Sequence, residues 1–197
     1  MKAAYKGFEA KKNNSYIDLP PAGLYVAEIK EVRFVPKDGD KQQRDVIELM
    51  IEITEGEFKG RYMEVYNSHK DRFDNAKYKG VFRLNVPNDE NDEDWVKRAF
   101  EGNLWAVEQS NKDYTWDWEE KKLKGKAVGI NVRNRLYTYD GKDKSTTEIG
   151  RLESIPEIKA GKCKVMQDRD QRSKGEKEDS TDGKSFTDVS KTVDVPW

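Results

Sequence analysis

Two stretches of this 197-residue chain interleave basic with aromatic side chains. Residues 61 to 84 hold Arg61, Lys70, Arg72, Lys77, Lys79 and Arg83 against Glu64, Asp71 and Asp74, with Tyr62, Tyr66, Phe73, Tyr78 and Phe82 among them. Residues 121 to 144 hold Lys121, Lys122, Lys124, Lys126, Arg133, Arg135, Lys142 and Lys144 against Asp140 and Asp143, with Tyr137 and Tyr139 alongside. Cations can follow a line of phosphates while flat rings stack on unpaired bases, each stack contributing about 1–3 kcal/mol. The residues expected to contact a single strand are Arg61, Tyr62, Tyr66, Lys70, Arg72, Phe73, Lys79, Arg133, Arg135, Tyr137, Tyr139, Lys142 and Lys144. For any one of them the alternative is a tyrosine packed on a sheet or a lysine that merely solvates it.

Other chemistry has thinner support. Asp18 and Glu28-Ile29-Lys30 are similar to the acid and Glu-x-Lys pattern of metal-dependent nucleases, where carboxylates hold Mg²⁺ and lysine polarises the attacking water. The ordinary reading is a charge-rich strand, since Glu31-Val32-Arg33 continues the same face. His69 has no serine or cysteine partner, and one cysteine (Cys163) with one histidine excludes an internal disulfide or a zinc finger. No glycine-rich phosphate loop is present. No enzymatic activity, cofactor or metal is expected.

The elements that must position these residues follow from periodicity. Leu24 to Phe34 alternates with a phase shift near Lys30, which predicts a bulged strand. Asp38-Gly39-Asp40 marks a hairpin loop, and Asp45 to Thr54 reads as a second strand with Ile47, Leu49, Ile51 and Ile53 inward and Val46, Glu48, Met50 and Glu52 mostly wet. Arg61 to Tyr66 reads as a third strand. Asn91 or Asp92 caps a helix with Val96, Phe100, Leu104 and Val107 at three- and four-residue spacing, and Gly102 is a candidate break. Lys126 to Tyr137 and Ile149 to Ile155 supply two further strands, joined through a turn at Tyr139-Asp140-Gly141-Lys142. Three strands, a helix and two strands predict a mainly β five-stranded OB-fold barrel with its helix between strands 3 and 4. A helix under a simple antiparallel sheet gives the same order. The rings of Trp116-Asp117-Trp118 would close the barrel floor or mediate self-association.

Composition sets the boundaries. Charged residues at 38% exceed hydrophobic ones at 35%, too polar a balance for a core throughout. Residues 1–22 read as an N-terminal extension, 23–163 as the nucleic-acid-binding domain, and 164–197 as a disordered tail. The near-cancellation of 37 bases by 38 acids hides segregation, because residues 87 to 120 carry eleven acids and three bases. Without an apolar run of about 20 residues, no membrane span is expected, and the lone cysteine suits the cytoplasm.

Two resemblances follow. Asp194-Val195-Pro196-Trp197 resembles the terminal peptide of bacterial single-stranded-DNA-binding proteins, in which the aromatic ring and terminal carboxylate plug into pockets on replication, recombination and repair proteins. That likeness implies partner binding by Asp194, Val195, Pro196 and Trp197, although Lys191 departs from the usual acidic tip. Leu19-Pro20-Pro21-Ala22-Gly23-Leu24-Tyr25, Glu55-Gly56-Glu57-Phe58-Lys59-Gly60-Arg61 and Leu123-Lys124-Gly125-Lys126-Ala127-Val128-Gly129 resemble a family of small single-stranded-DNA-binding proteins in phages of Gram-positive bacteria. That resemblance spans about residues 17 to 163 and implies an OB-fold that coats single-stranded DNA during phage DNA replication, recombination or repair. The expectation is a sequence-tolerant single-stranded-DNA-binding protein, with a homo-oligomer as one option for its assembly. The alternatives are a Mg-dependent nuclease and a structural or protein-interaction module.

Overall fold

The computed structural model describes residues 17–39, 44–70, 73, 75–88 and 93–172. Its first strand, β1 (Gly23–Val35), is bulged where the sequence shifts phase: Ile29 pairs with Ile51 and Glu31 with Met50, leaving Lys30 over. The resulting bend gives one strand two partners. Ala27–Val35 pairs antiparallel with β2 (Val46–Ile53), and Gly23–Glu28 pairs antiparallel with β4 (Ala127–Tyr139). Ile47, Leu49, Ile51 and Ile53 form the core face of β2, as expected. The opposite face is not wet: Val46, Glu48 and Glu52 are all buried. Glu48 lies between two arginines of neighbouring strands, and Glu52 meets the start of a helix.

That helix, α1 (Arg61–Lys70), replaces the third strand expected at Arg61 to Tyr66. Tyr62, Glu64 and Tyr66 alternate with Met63 and Val65, but Tyr62, Val65, Tyr66 and His69 also fall at helical three- and four-residue spacing. The Glu52 carboxylate decides between the two. It accepts the N–H groups of Tyr62 (3.1 Å) and Met63 (2.7 Å), which a helix leaves unpaired in its first turn. Gly60, at φ +73°, turns the chain into the helix and accepts the N–H of Glu64 at 3.0 Å.

The true third strand is β3 (Val81–Asn85), antiparallel to β2. Helix α2 (Asp94–Ser110) follows and buries Val96, Phe100, Leu104 and Val107 while running unbroken through Gly102. The caps expected at Asn91 or Asp92 lie outside the described residues. Polar side chains of α2 and its C-cap fix the helix to the sheet. Asn103 accepts the Leu152 N–H (2.7 Å), and Asn111 both donates to the Ala127 carbonyl (2.7 Å) and accepts its N–H (3.1 Å). A 3-10 turn at Glu120–Leu123 leads into β4, which pairs with β5 (Lys142–Glu153). A short helix, α3 (Ile155–Lys159), and a three-residue strand, β6 (Arg169–Gln171), complete the order.

The strands form one sheet in the order β3-β2-β1-β4-β5, with β6 parallel to β4. It is a six-stranded open sheet rather than a closed five-stranded barrel. β3 and β5 approach within 8 Å between Cα atoms, yet no ladder joins them among the described residues. With five residues, all paired to β2, β3 is a short edge for a closing seam. Contacts with the sheet continue past position 163. Fully buried Asn131 donates to the Lys164 carbonyl (2.9 Å) and accepts the Met166 N–H (3.0 Å), so residues up to Arg172 belong to the folded unit. Residues 1–16 and 173–197 lie outside the described residues. Among the described residues no helix is long and apolar enough to cross a membrane.

Two outcomes test this account. The Gly80 carbonyl accepts the Ile51 N–H at 2.7 Å, and a Cβ at Gly80 would stand 2.3 Å from the Ile51 carbonyl oxygen and 2.8 Å from the Tyr62 ring. Gly80→Ala is therefore expected to lose about 3 kcal/mol of unfolding free energy in urea, the upper end for overpacking. Burial, and then the Glu52 carboxylate, raise the phenol pKa values of Tyr62 and Tyr78. Unfolded tyrosine ionises near pH ~10, so this contribution to stability is whole below that pH and is lost as pH climbs above it. Urea midpoints between pH 8 and 11 should fall, and fall less steeply in Tyr78→Phe.

Candidate nucleic-acid interface

The β4–β5 ladder continues well past the reach of β1. Pairing with β1 stops at Gly23–Val132, whereas β4 and β5 stay paired out to Tyr139–Lys142. Residues 133–148 therefore project as a hairpin arm. Asp140 (φ +53°) and Gly141 (φ +67°) close it, both in the left-handed region that a type I′ turn demands and that Asp-Gly supplies cheaply. Cross-strand partners share a face. The pairs Arg133–Glu148, Arg135–Thr146, Tyr137–Lys144 and Tyr139–Lys142 thus gather six of the predicted contact residues on one side of the arm.

Rings and cations on that face lie against each other. Lys144 Nζ lies 4.6 Å from the Tyr139 ring centre and the Arg135 guanidinium 5.7 Å from that of Tyr137. Tyr139 is 64% exposed and Lys142 and Lys144 are also exposed. Strand β6 lies along the free edge of β4 and adds to the face, with Arg135 Nε donating to Gln171 Oε1 at 2.6 Å. Arg169 was missed because a three-residue strand has too few positions to show a period. Glu148, paired with Arg133 (2.8 Å) and near Arg169 (3.7 Å), offsets part of the charge.

Three of the bases between 121 and 126 serve other ends. Lys122 pairs with Asp117 and with Glu119 (3.1 Å), Lys124 with Glu31 (2.5 Å), and Lys126 lies over the Tyr114 ring at 4.6 Å. The hydrogen bond from Lys122 holds the Asp117 carboxyl below its usual pKa.

The first basic and aromatic cluster changes most. Tyr62 is 2% exposed, packed beside Tyr78 and Gly80, and cannot stack on a base. Tyr66 is half-buried with its ring edge-on to Tyr78 at 6.2 Å. Arg61 lies over Phe58 and donates to the Asp18 carbonyl, which makes it a brace for the chain before β1. Only the far end of α1 keeps an open character: Lys70 and Lys79 are exposed, and Phe73, 56% exposed, meets the His69 ring edge-on at 5.8 Å. Arg72 lies outside the described residues, as do Asp194, Val195, Pro196 and Trp197.

The register also assembles a row that periodicity did not reveal. Arg33, Glu48 and Arg83 are direct neighbours across β1, β2 and β3. One Glu48 oxygen accepts from Arg33 Nε (3.0 Å) and the other from Arg83 Nε (2.8 Å). Glu48 is 5% exposed beneath two guanidiniums and holds both in fixed geometry. Only the strand register could have found it.

Glu28 and Lys30 pair with each other at 2.8 Å, and among the described residues no three or more His, Cys, Asp or Glu side chains group to hold a metal ion. Neither a protein-family model nor a curated protein matches the chain.

Core and surface tyrosines should separate in denaturation. Tyr62→Ala is expected to cost about 3–5 kcal/mol, whereas Tyr139→Ala should stay within about 0.5 kcal/mol of the parent. Equal losses would contradict the burial difference.

Proposed function

We propose that the protein binds single-stranded DNA with little sequence preference, through the basic and aromatic face of the β4–β5 arm. The observation that carries this reading is the register that sets Arg133, Arg135, Tyr137, Tyr139, Lys142 and Lys144 on one side of a hairpin. Paired bases hide their faces, so rings that stack favour a single strand, while the cations supply a sequence-independent attraction to phosphate. The strand order, the bulged β1 shared between two partners, and α2 between β3 and β4 support an OB-type barrel whose β3–β5 side stays open. In that arrangement the β2–β3 face and the β4–β5 connection flank one groove. A role in phage DNA replication, recombination or repair, with partner recruitment through Asp194 to Trp197, belongs to the same reading.

Anisotropy titrations with oligothymidylate and with a duplex, at about 50 and 200 mM salt, test it. The single strand should bind more tightly, and binding should weaken with salt. Replacing Arg135, Lys142 and Lys144 together by alanine removes three cations, and should lower the salt slope by about 2 at ~0.7 per contact. Tyr139→Ala should cost about 1–3 kcal/mol of affinity. Equal affinity for both forms, or no salt dependence, would sink the proposal.

A further inference from the structure

Helix α2 presents to solvent a surface of the opposite character. A groove of about 690 Å³ opens along its outer side, between the helix and the chain from Trp116 to Trp118. Its floor is aromatic: Phe100 stacks on Trp118 with ring centres 5.7 Å apart and meets Trp116 edge-on at 6.1 Å. Trp105, 46% exposed, forms part of the lining, with Glu101 and Glu108 beside it. The volume falls in the range of about 300–1,000 Å³ that small ligand sites occupy.

Two observations set this groove apart from an incidental cleft. Trp118 adopts φ +66°, a conformation that a bulky side chain avoids, and it remains 68% exposed there. The pose stacks one face of the indole on Phe100 and leaves the rest in water, a strained arrangement of the kind found at functional sites. Glu108 accepts the backbone N–H of Trp116 at 2.8 Å and so fixes the neighbouring ring. The groove is thus built rather than collapsed, although burying its rings would be the stable outcome for the free chain.

Charge selects the occupant. The described residues 93–120 carry eight acids against three bases, and the groove lining itself sets Glu101 and Glu108 against Lys97, so a polyanion is disfavoured on this side. Exposed tryptophan faces attract cations and also pack against the flat rings of an extended proline helix. We propose that the groove of Phe100, Trp105, Trp116 and Trp118 is a docking site for a proline-containing, cationic peptide segment of another protein. Its prolines lie on the tryptophans, and its Arg or Lys faces Glu101 and Glu108. This site is separate from the nucleic-acid face and does not rest on it.

The test uses the full chain and a fluorescein-labelled octapeptide with arginine at each end of a proline–leucine core, followed by anisotropy. A glutamate-ended octapeptide is the control. Saturable binding of the arginine peptide is expected, with at least about tenfold weaker binding of the control and a similar loss in Trp118→Ala, as for a central aromatic anchor. Glu101→Lys, a change at an exposed helical position, should weaken binding about fivefold or more, and it keeps the test valid if Trp118→Ala disturbs the aromatic cluster. Both variants should bind oligothymidylate as the parent does, so failure here is distinguishable from failure of the nucleic-acid reading. No saturable binding, equal binding of the two peptides, or undiminished binding in Glu101→Lys overturns the proposal. So does a concentration-dependent dimer in light scattering that Trp118→Ala dissolves, since a second copy would then fill the groove. Loss of oligothymidylate binding in Trp118→Ala overturns it in favour of nucleic acid.

Discussion

Glu52, 7% exposed at the end of β2, takes hydrogen bonds from the backbone N–H groups of Ile53, Tyr62 and Met63 and from the hydroxyl of Tyr78. A lone carboxylate so deep would cost several kcal/mol in lost hydration. Four donors and the positive end of α1 offset that cost. The arrangement ties together segments that otherwise share little. The end of β2, the start of α1 and the approach to β3 all converge on one anion, and the Tyr78 hydroxyl also reaches the Ile51 carbonyl at 2.8 Å. None of the three can shift without stranding a buried polar group.

This constraint explains which parts of the chain could be read from sequence. The β1 bulge, the inward isoleucines of β2, the apolar face of α2 and the Asp-Gly turn all carry local signatures, and each element formed where its signature lay. Helix α1 carries two signatures at once, and the residue that chooses between them is Glu52, upstream on another element. The wet face assigned to β2 failed for a related reason. Glu48 and Glu52 are charged, and charge alone says nothing about whether arginines or helix donors stand opposite. Of the candidate contacts, those on the arm were legible because a hairpin register follows from its turn. Those around α1 were not, because the change from strand to helix sent Tyr62 into the core.

Charge segregation along the chain becomes a division between elements. The arm gathers Arg133, Arg135, Lys142 and Lys144, and α2 and its flanks carry acid. A single sheet thereby supports two surfaces of opposite charge, and each would repel the polyion that the other attracts. The basic run before β4 shows the limit of counting charges, since Lys122, Lys124 and Lys126 are engaged by Asp117, Glu119, Glu31 and the Tyr114 ring.

The direction of β6 has a consequence for the arm. Arg169, Asp170 and Gln171 run parallel to Arg135, Leu136 and Tyr137, toward the turn of the arm, and Arg172 comes within 3.6 Å of Asp143 beside that turn. Position 172 therefore lies toward the turn of the hairpin and not at the base of the sheet. The last described segment therefore braces the arm along the edge of β4 that β1 leaves open.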